Sequence, residues 1–371
     1  MNPEQIAVSG VRKITPYQPG KPITELEREL GVANIVKLAS NENPLGSSPK
    51  ALEAIQLGLG ALHLYPDSGG FDLKAALAGK LGVEAAQITL GNGSSEVLEL
   101  AVRTFVEPGL KVLFAEHSFA IYPIFAQIVG ATGVVASAHD GTKGPRYGHD
   151  VEAMAEKVDS KTRLVFIANP NNPTGTYLKK QELLWFLQGV PENVIVVVDE
   201  AYCEYVSVPD YPNAIEWLVD FPNLIVTRTF SKVYGLAGLR VGYALSSPEI
   251  AGLMNRVRPP FNVNSLALAA AAAALFDRGH LEQSVRLNNE GMRTLCNAFL
   301  ERELPFIPSV GNFITFDVGR NALPVYQALL LQGVIVRPIA NYGLPDHLRV
   351  TIGTEIENRV FLSALDRVLG L

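Results

Sequence analysis

The chain has 371 residues, 48% of them hydrophobic and 18% charged, and a formal net charge of −6. That length asks for two or three domains, and the composition excludes a disordered or fibrous protein. The mild negative charge, without any run of lysine and arginine, offers nothing to attract a polyphosphate backbone, so no nucleic-acid partner is expected.

The opening residues, MNPEQIAVSGVRKITPY, lack a basic stretch followed by an apolar one, so neither a secretory signal nor a transit peptide is read and a cytoplasmic protein is expected. Short β-branched runs then recur at 88–90, 111–114, 164–168, 194–198 and 224–227, and helical periodicity appears between some of them, at 95–106 and 179–187. Strands alternating with helices predict a mostly parallel sheet covered on both faces. The apolar run 266–276 is mostly alanine and far short of the roughly 20 residues that cross a bilayer, so no membrane span is expected. With Asn264 or Ser265 as N-cap it predicts a closely packed interior helix. Past about residue 255 long helices are followed by isolated strands at 313–318, 334–337 and 348–352, the pattern of a smaller α+β domain. The two cysteines, Cys203 and Cys296, are not spaced to hold zinc or to exchange a disulfide, so no metal is expected.

In an open α/β sheet ligands gather beyond the carboxyl ends of the strands, where loops vary freely and helix N-termini point inward. Four segments fall there. ITLGNGSSEVLEL is a strand, a glycine turn and a helix start, and the amides near Ser94 and Ser95 suit a phosphate. ANPNNPTG places Asn169, Asn171 and Asn172 among turn residues, which serve either a tight loop or a ligand oxygen. VIVVVDEAYCEY sets Asp199 and Glu200 directly after a strand apolar enough to be buried, and a carboxylate at that depth requires a cation or hydrogen bonds. TRTFSKVYGLAGLRVGY sets Lys232 just past another such strand, where a desolvated amine loses its proton readily and attacks a carbonyl. Thr229, Ser231 and Arg240 beside it are suited to hold a phosphate.

NPNNPTG, DEAY and SKVYGLAGLRVGY, in that order and at these separations, resemble the cofactor motifs of the fold-type-I pyridoxal-phosphate aminotransferases of class I/II, and the likeness runs over nearly the whole chain. The resemblance implies an α/β fold with an N-terminal arm at 1–35 packed on the small domain, a large cofactor-binding domain at 36–255 and a small domain at 256–371. It implies pyridoxal 5′-phosphate held as an imine by Lys232, with Asp199 on the pyridine nitrogen and Tyr202 and Asn172 at the ring hydroxyl. Gly93, Ser94, Ser95, Thr229, Ser231 and Arg240 then surround the phosphate, and Phe119 stacks on the ring. Tyr65, in LYPD, matches a tyrosine that reaches the cofactor of a neighbouring subunit, which implies a homodimer.

TPYQPGKP, LASNENPLG, VIVRPI and LRVTIGT are similar to the branch of that family that exchanges an amino group between histidinol phosphate and 2-oxoglutarate by a ping-pong mechanism. Arg337 and Arg349 are two strand-borne guanidiniums suited to an anionic substrate group. Tyr17 matches a tyrosine that closes over substrate, and Asn41 and Asn43 line the same mouth. Transamination of an aromatic amino acid and decarboxylation of threonine phosphate remain open on these residues.

Overall fold

The computed structural model describes all 371 residues. It contains thirteen strands: β1 (Val36–Lys37), β2 (Ile88–Gly91), β3 (Lys111–Ala115), β4 (Thr132–Ala136), β5 (Thr162–Ala168), β6 (Ile195–Asp199), β7 (Leu224–Thr229), β8 (Gly242–Leu245), β9 (Phe306–Ile307), β10 (Phe313–Asp317), β11 (Val334–Ile335), β12 (Arg337–Pro338) and β13 (His347–Thr351). Seven of them form one sheet in the order β2-β8-β7-β6-β5-β3-β4, parallel except for β8, which runs against both its neighbours. The continuous apolar runs are explained by burial on both faces. Val196 and Val198 of β6 face one core with Val165 and Ile167, while Ile195 and Val197 face the other with Leu164 and Phe166.

A second lobe holds the antiparallel sheet β12-β13-β10-β9, backed by the helices Arg278–Glu301, Ala322–Leu331 and Glu355–Leu369 around Phe299, Phe316 and Phe361. The N-terminal arm joins it. β1 pairs in parallel with β11, Leu38 enters this lobe's core, and Leu26 packs with Ala39, Leu330 and Ile335.

Several features differ from the sequence reading. The helix Ser265–Ala274, capped by the Asn264 side chain as expected, packs on the helices Pro49–Gly58 and Phe71–Leu81 and its alanines join the large core. The chain therefore changes lobe near Asp277 rather than at 255, and the arm's contribution to the small lobe runs on through Ala39 rather than ending at 35. The single strand expected at 334–337 is two short strands in different sheets, and β4 and β8 were not expected. No helix is long and apolar enough to cross a membrane.

Candidate active site

The carboxyl ends of β5, β6 and β7, the turn after β2 and the seam between the lobes enclose a cavity of about 430 Å³. Of the residues singled out in the sequence, Tyr17, Asn41, Ser94, Ser95, Phe119, Asn172, Asp199, Tyr202, Thr229, Ser231, Lys232, Arg240, Arg337 and Arg349 all line it. Four cationic side chains, those of Lys232, Arg240, Arg337 and Arg349, face one carboxylate, that of Asp199. Such a site is built for ligands that carry more than one negative charge.

Asp199 ends β6 and is 5% exposed. Burial pushes its carboxyl up to about 6, although hydrogen bonds from Tyr122 Oη (2.9 Å) and Thr227 Oγ1 (3.1 Å) favour the ionised form. Both of those partners are neutral, so the carboxylate lacks the cation its depth calls for. The neighbouring Glu200 is separately satisfied, pairing with Arg228 at 2.7 Å and so tying β6 to β7.

Lys232 Nζ donates to the carbonyl of Ser40 at 3.0 Å and lies 5.6 Å from the centroid of the Tyr202 ring. Burial, seconded by Arg349, lowers its ammonium to about 8. The Tyr202 phenol accepts from Asn41 Nδ2 at 2.9 Å, and burial keeps it protonated far above the ordinary range. Asn41 is itself clamped to the small lobe, its amide donating to Thr351 Oγ1 (2.9 Å) and its carbonyl accepting from Asn312 (3.0 Å).

Two anion-receiving ends are distinct. At one, the helix Ser94–Phe105 presents its first-turn amides, with Thr229, Ser231 and Arg240 around them. A Cβ on Gly242 would come within 2.4 Å of Ser94 N, and one on Gly93, where φ is +80°, within 2.4 Å of Arg240 Nη2. Both glycines keep this cup open. At the other end are Arg337 and Arg349, 7% and 5% exposed. Arg349 donates to the Ala39 carbonyl (2.8 Å) and to Asn172 Oδ1, but its Nε is buried with no partner. Arg337 donates to the Gln18 carbonyl and lies over the Tyr17 ring. Tyr17 in turn meets Phe119 edge-on at 6.2 Å, so the aromatic arm roofs the cavity.

Three expected residues are not in this group: Gly93, which lies behind Arg240 at the cup, Asn43 and Tyr65. Asn43 is buried, but its side chain donates to the Val233 carbonyl and to Ser284, which makes it a brace behind Lys232 rather than part of the mouth. Tyr65 is 82% exposed and stacked on Phe261 outside the cavity. Tyr122 and Thr227 were missed. Thr227 pairs in register with Asp199, and a hydroxyl directly behind the apolar run LIV was the available signal. Tyr122 lies in the helix Ile121–Ile128, which is apolar apart from it and Gln127, and nothing in that stretch marks its hydroxyl as a partner for a carboxylate.

The pattern of the family described as aminotransferase class I and II matches residues 33–365. The chain is 64% identical, over 98% of both proteins, to histidinol-phosphate aminotransferase 2 of Methylococcus capsulatus. It is 57% identical to histidinol-phosphate aminotransferase 1 of Nitrosococcus oceani, over 98% of this chain and 97% of that one. Among solved structures, the histidinol-phosphate aminotransferase of Sinorhizobium meliloti in complex with pyridoxal-5′-phosphate superposes with a TM-score of 0.89 over 99% of each chain at 30% identity.

Proposed function

The chain belongs to the class I and II aminotransferases, and from that premise we propose that it transfers the amino group of histidinol phosphate to 2-oxoglutarate with pyridoxal phosphate carried on Lys232. The observation that carries the reading is the buried Asp199 carboxylate without a cation in the same cavity as a lysine lowered to about 8. Those two groups fit the cofactor's ring nitrogen and its aldehyde, and the glycine-lined cup fits its phosphate.

Pyridoxal phosphate, when bound, supplies a reactive aldehyde and a ring that takes up the charge left on the substrate carbon. Asp199 holds the proton on the ring nitrogen. Lys232 Nζ is unprotonated near neutral pH more often than an ordinary lysine, and serves as the base that takes the proton from the carbon bearing the amine. Tyr202, kept neutral and oriented by Asn41, donates to the ring oxygen beside Asn172. Gly93, Ser94, Ser95, Thr229, Ser231 and Arg240 hold the cofactor phosphate, and Phe119 covers the ring. Arg337 and Arg349 take the phosphate of the first substrate and the carboxylates of the second, which is why one site serves both half-reactions.

The exposed Tyr65 supports a homodimer in which each copy lends this phenol to the other's phosphate cup. Catalytic efficiency compared on histidinol phosphate, histidinol, phenylalanine and threonine phosphate, each with 2-oxoglutarate, tests the substrate. Histidinol phosphate is expected to be the best of them. Removing its phosphate should cost roughly ten- to a hundredfold, the size of a charge-assisted contact. A clear preference for phenylalanine, or indifference to the phosphate, overturns the assignment.

A further inference from the structure

Residues 258–262 reach three other segments at once. Arg258 Nη2 donates to the Ser68 carbonyl (2.8 Å), its Nη1 to Asn262 Oδ1 (2.6 Å) and its Nε to Asn255 Oδ1 (3.1 Å). Asn262 passes the connection on: its Nδ2 donates to the Leu90 carbonyl at the end of β2 (3.2 Å) and to Glu96 Oε2 (2.5 Å). The same Glu96 oxygen accepts the Asn92 amide at 2.6 Å. Between the two, Phe261 lies against the Tyr65 ring, 4.6 Å centroid to centroid and 21° from parallel.

Apart from the Asn255 contact, which anchors Arg258 on its own helix, these bonds act on the two segments assigned to the phosphate cups, the turn before Ser94 and the segment that carries Tyr65. Glu96 is the third residue of the helix Ser94–Phe105, where a glutamate usually reaches back to the amide of the N-cap residue, here Gly93. It captures the Asn92 amide instead. That fixes the turn and leaves the first-turn amides of Ser94 and Ser95 to the cavity. On the other side, Arg258 holds a segment that is otherwise stiff: Asp67 accepts from the Gly69 and Phe71 amides at 2.8 and 2.7 Å, so Tyr65 to Ser68 leads rigidly into the next helix. Arg258 spends its donors on neutral oxygens from three places. A planar guanidinium fork sets their mutual orientation in a way that a lysine of equal charge does not.

We propose that Arg258 and Asn262 are positioning residues that set two phosphate cups at once: their own, through Glu96 and Asn92, and the partner copy's, through Tyr65. The second half rests on the reading that Tyr65 crosses to the neighbouring subunit.

Mixed dimers of the holoenzyme separate the two routes. One subunit carries Lys232→Ala, so the visible absorbance of lysine-bound cofactor, followed as it is released into buffer, reports only the other subunit. Arg258→Lys is placed either in the reporting subunit or in the Lys232→Ala subunit, and Asn262→Asp, equal in size but facing Glu96 with an acceptor, is placed likewise. Release roughly three- to tenfold faster in both arrangements is expected, the size of a lost hydrogen bond. Tyr65→Phe in the silent subunit serves as the control. If it speeds release while the Arg258 and Asn262 variants in that subunit do not, the proposed coupling is overturned and the crossing tyrosine stands. If Tyr65→Phe in the silent subunit changes nothing, the crossing reading falls and the coupling with it. Equal thermal midpoints of the mixed dimers exclude misfolding as the cause.

Discussion

Burial perturbs the titration of Asp199 and Lys232 in opposite directions, and the consequence is testable without turnover. The Asp199 carboxyl is raised from 3.8 to about 6. Between those values the folded chain keeps a proton that the unfolded chain has lost, so this group lowers stability as pH rises through about 4 to 6 and holds the full penalty above. Lys232 is lowered from 10.5 to about 8, so its penalty is complete below 8 and is relieved as pH rises towards 10.5. The cofactor-free protein thus bears both costs between pH 6 and 8. Asp199→Asn should raise its thermal midpoint at pH 7 and leave it unchanged near pH 3.5, while cutting turnover by orders of magnitude. Near-normal turnover in that variant would mean that the carboxylate has a different role. Tyr122→Phe removes one of the two hydroxyls that hold Asp199 ionised, and a rate loss of about tenfold with an acid limb shifted to higher pH is expected from the pH–rate profile. The chemistry-bearing residues after β5, β6 and β7 were legible in the sequence because polar groups directly behind buried strands must have partners. Tyr122 was not, since a tyrosine in an apolar helix start gives no sign of what its hydroxyl meets. Asn43 misled for the opposite reason: its neighbourhood pointed to the mouth, but its side chain found internal acceptors.

Among the elements, the strands read correctly were those with uninterrupted β-branched runs. β4 was missed because it is a sheet edge, largely exposed, with Gly133 in a five-residue span. The helix Ser265–Ala274 was recognised but assigned to the wrong lobe, since its partners lie about two hundred residues earlier and an alanine face fits any close neighbour. The junction that follows it is stapled by a shared cap. Ser48 caps the helix Pro49–Gly58 and donates to Asp277 Oδ2 at 2.6 Å, while Asp277 caps the helix Arg278–Glu301. Asp277→Ala should cost about 1 kcal/mol from the lost cap, read as a lower denaturant midpoint with unchanged slope. Hydrogen bonding to Ser48, first among its causes, holds the Asp277 carboxyl below its ordinary value, so the contribution is present above about pH 4 and lost as pH falls. Gly242→Ala drives a methyl into the Ser94 amide, and cofactor release should accelerate at least tenfold in an absorbance assay even where the chain still folds.

At the scale of the whole molecule, Leu57, Leu64, Tyr65 and Phe71, close together in sequence, are 82%, 61%, 82% and 75% exposed, and large apolar side chains so open to water suit a surface that a second copy covers. Sedimentation should give a dimer, and Leu64→Glu with Phe71→Lys should shift it to monomer and weaken cofactor retention together. A fully active monomer would remove the homodimer from the proposal. The pairing of β1 with β11 carries a different consequence, one of order in time. Residues up to Ala39 leave the ribosome first, but Arg349, which donates to the Ala39 carbonyl, lies 310 positions later. The seven-stranded sheet is complete long before that, with the chain that precedes it still untethered. The Ser40 carbonyl can meet Lys232 as soon as that sheet is made, but the Ala39 carbonyl gains Arg349 only when the end of the chain emerges, so this side of the cavity is completed by the last strand to be synthesised.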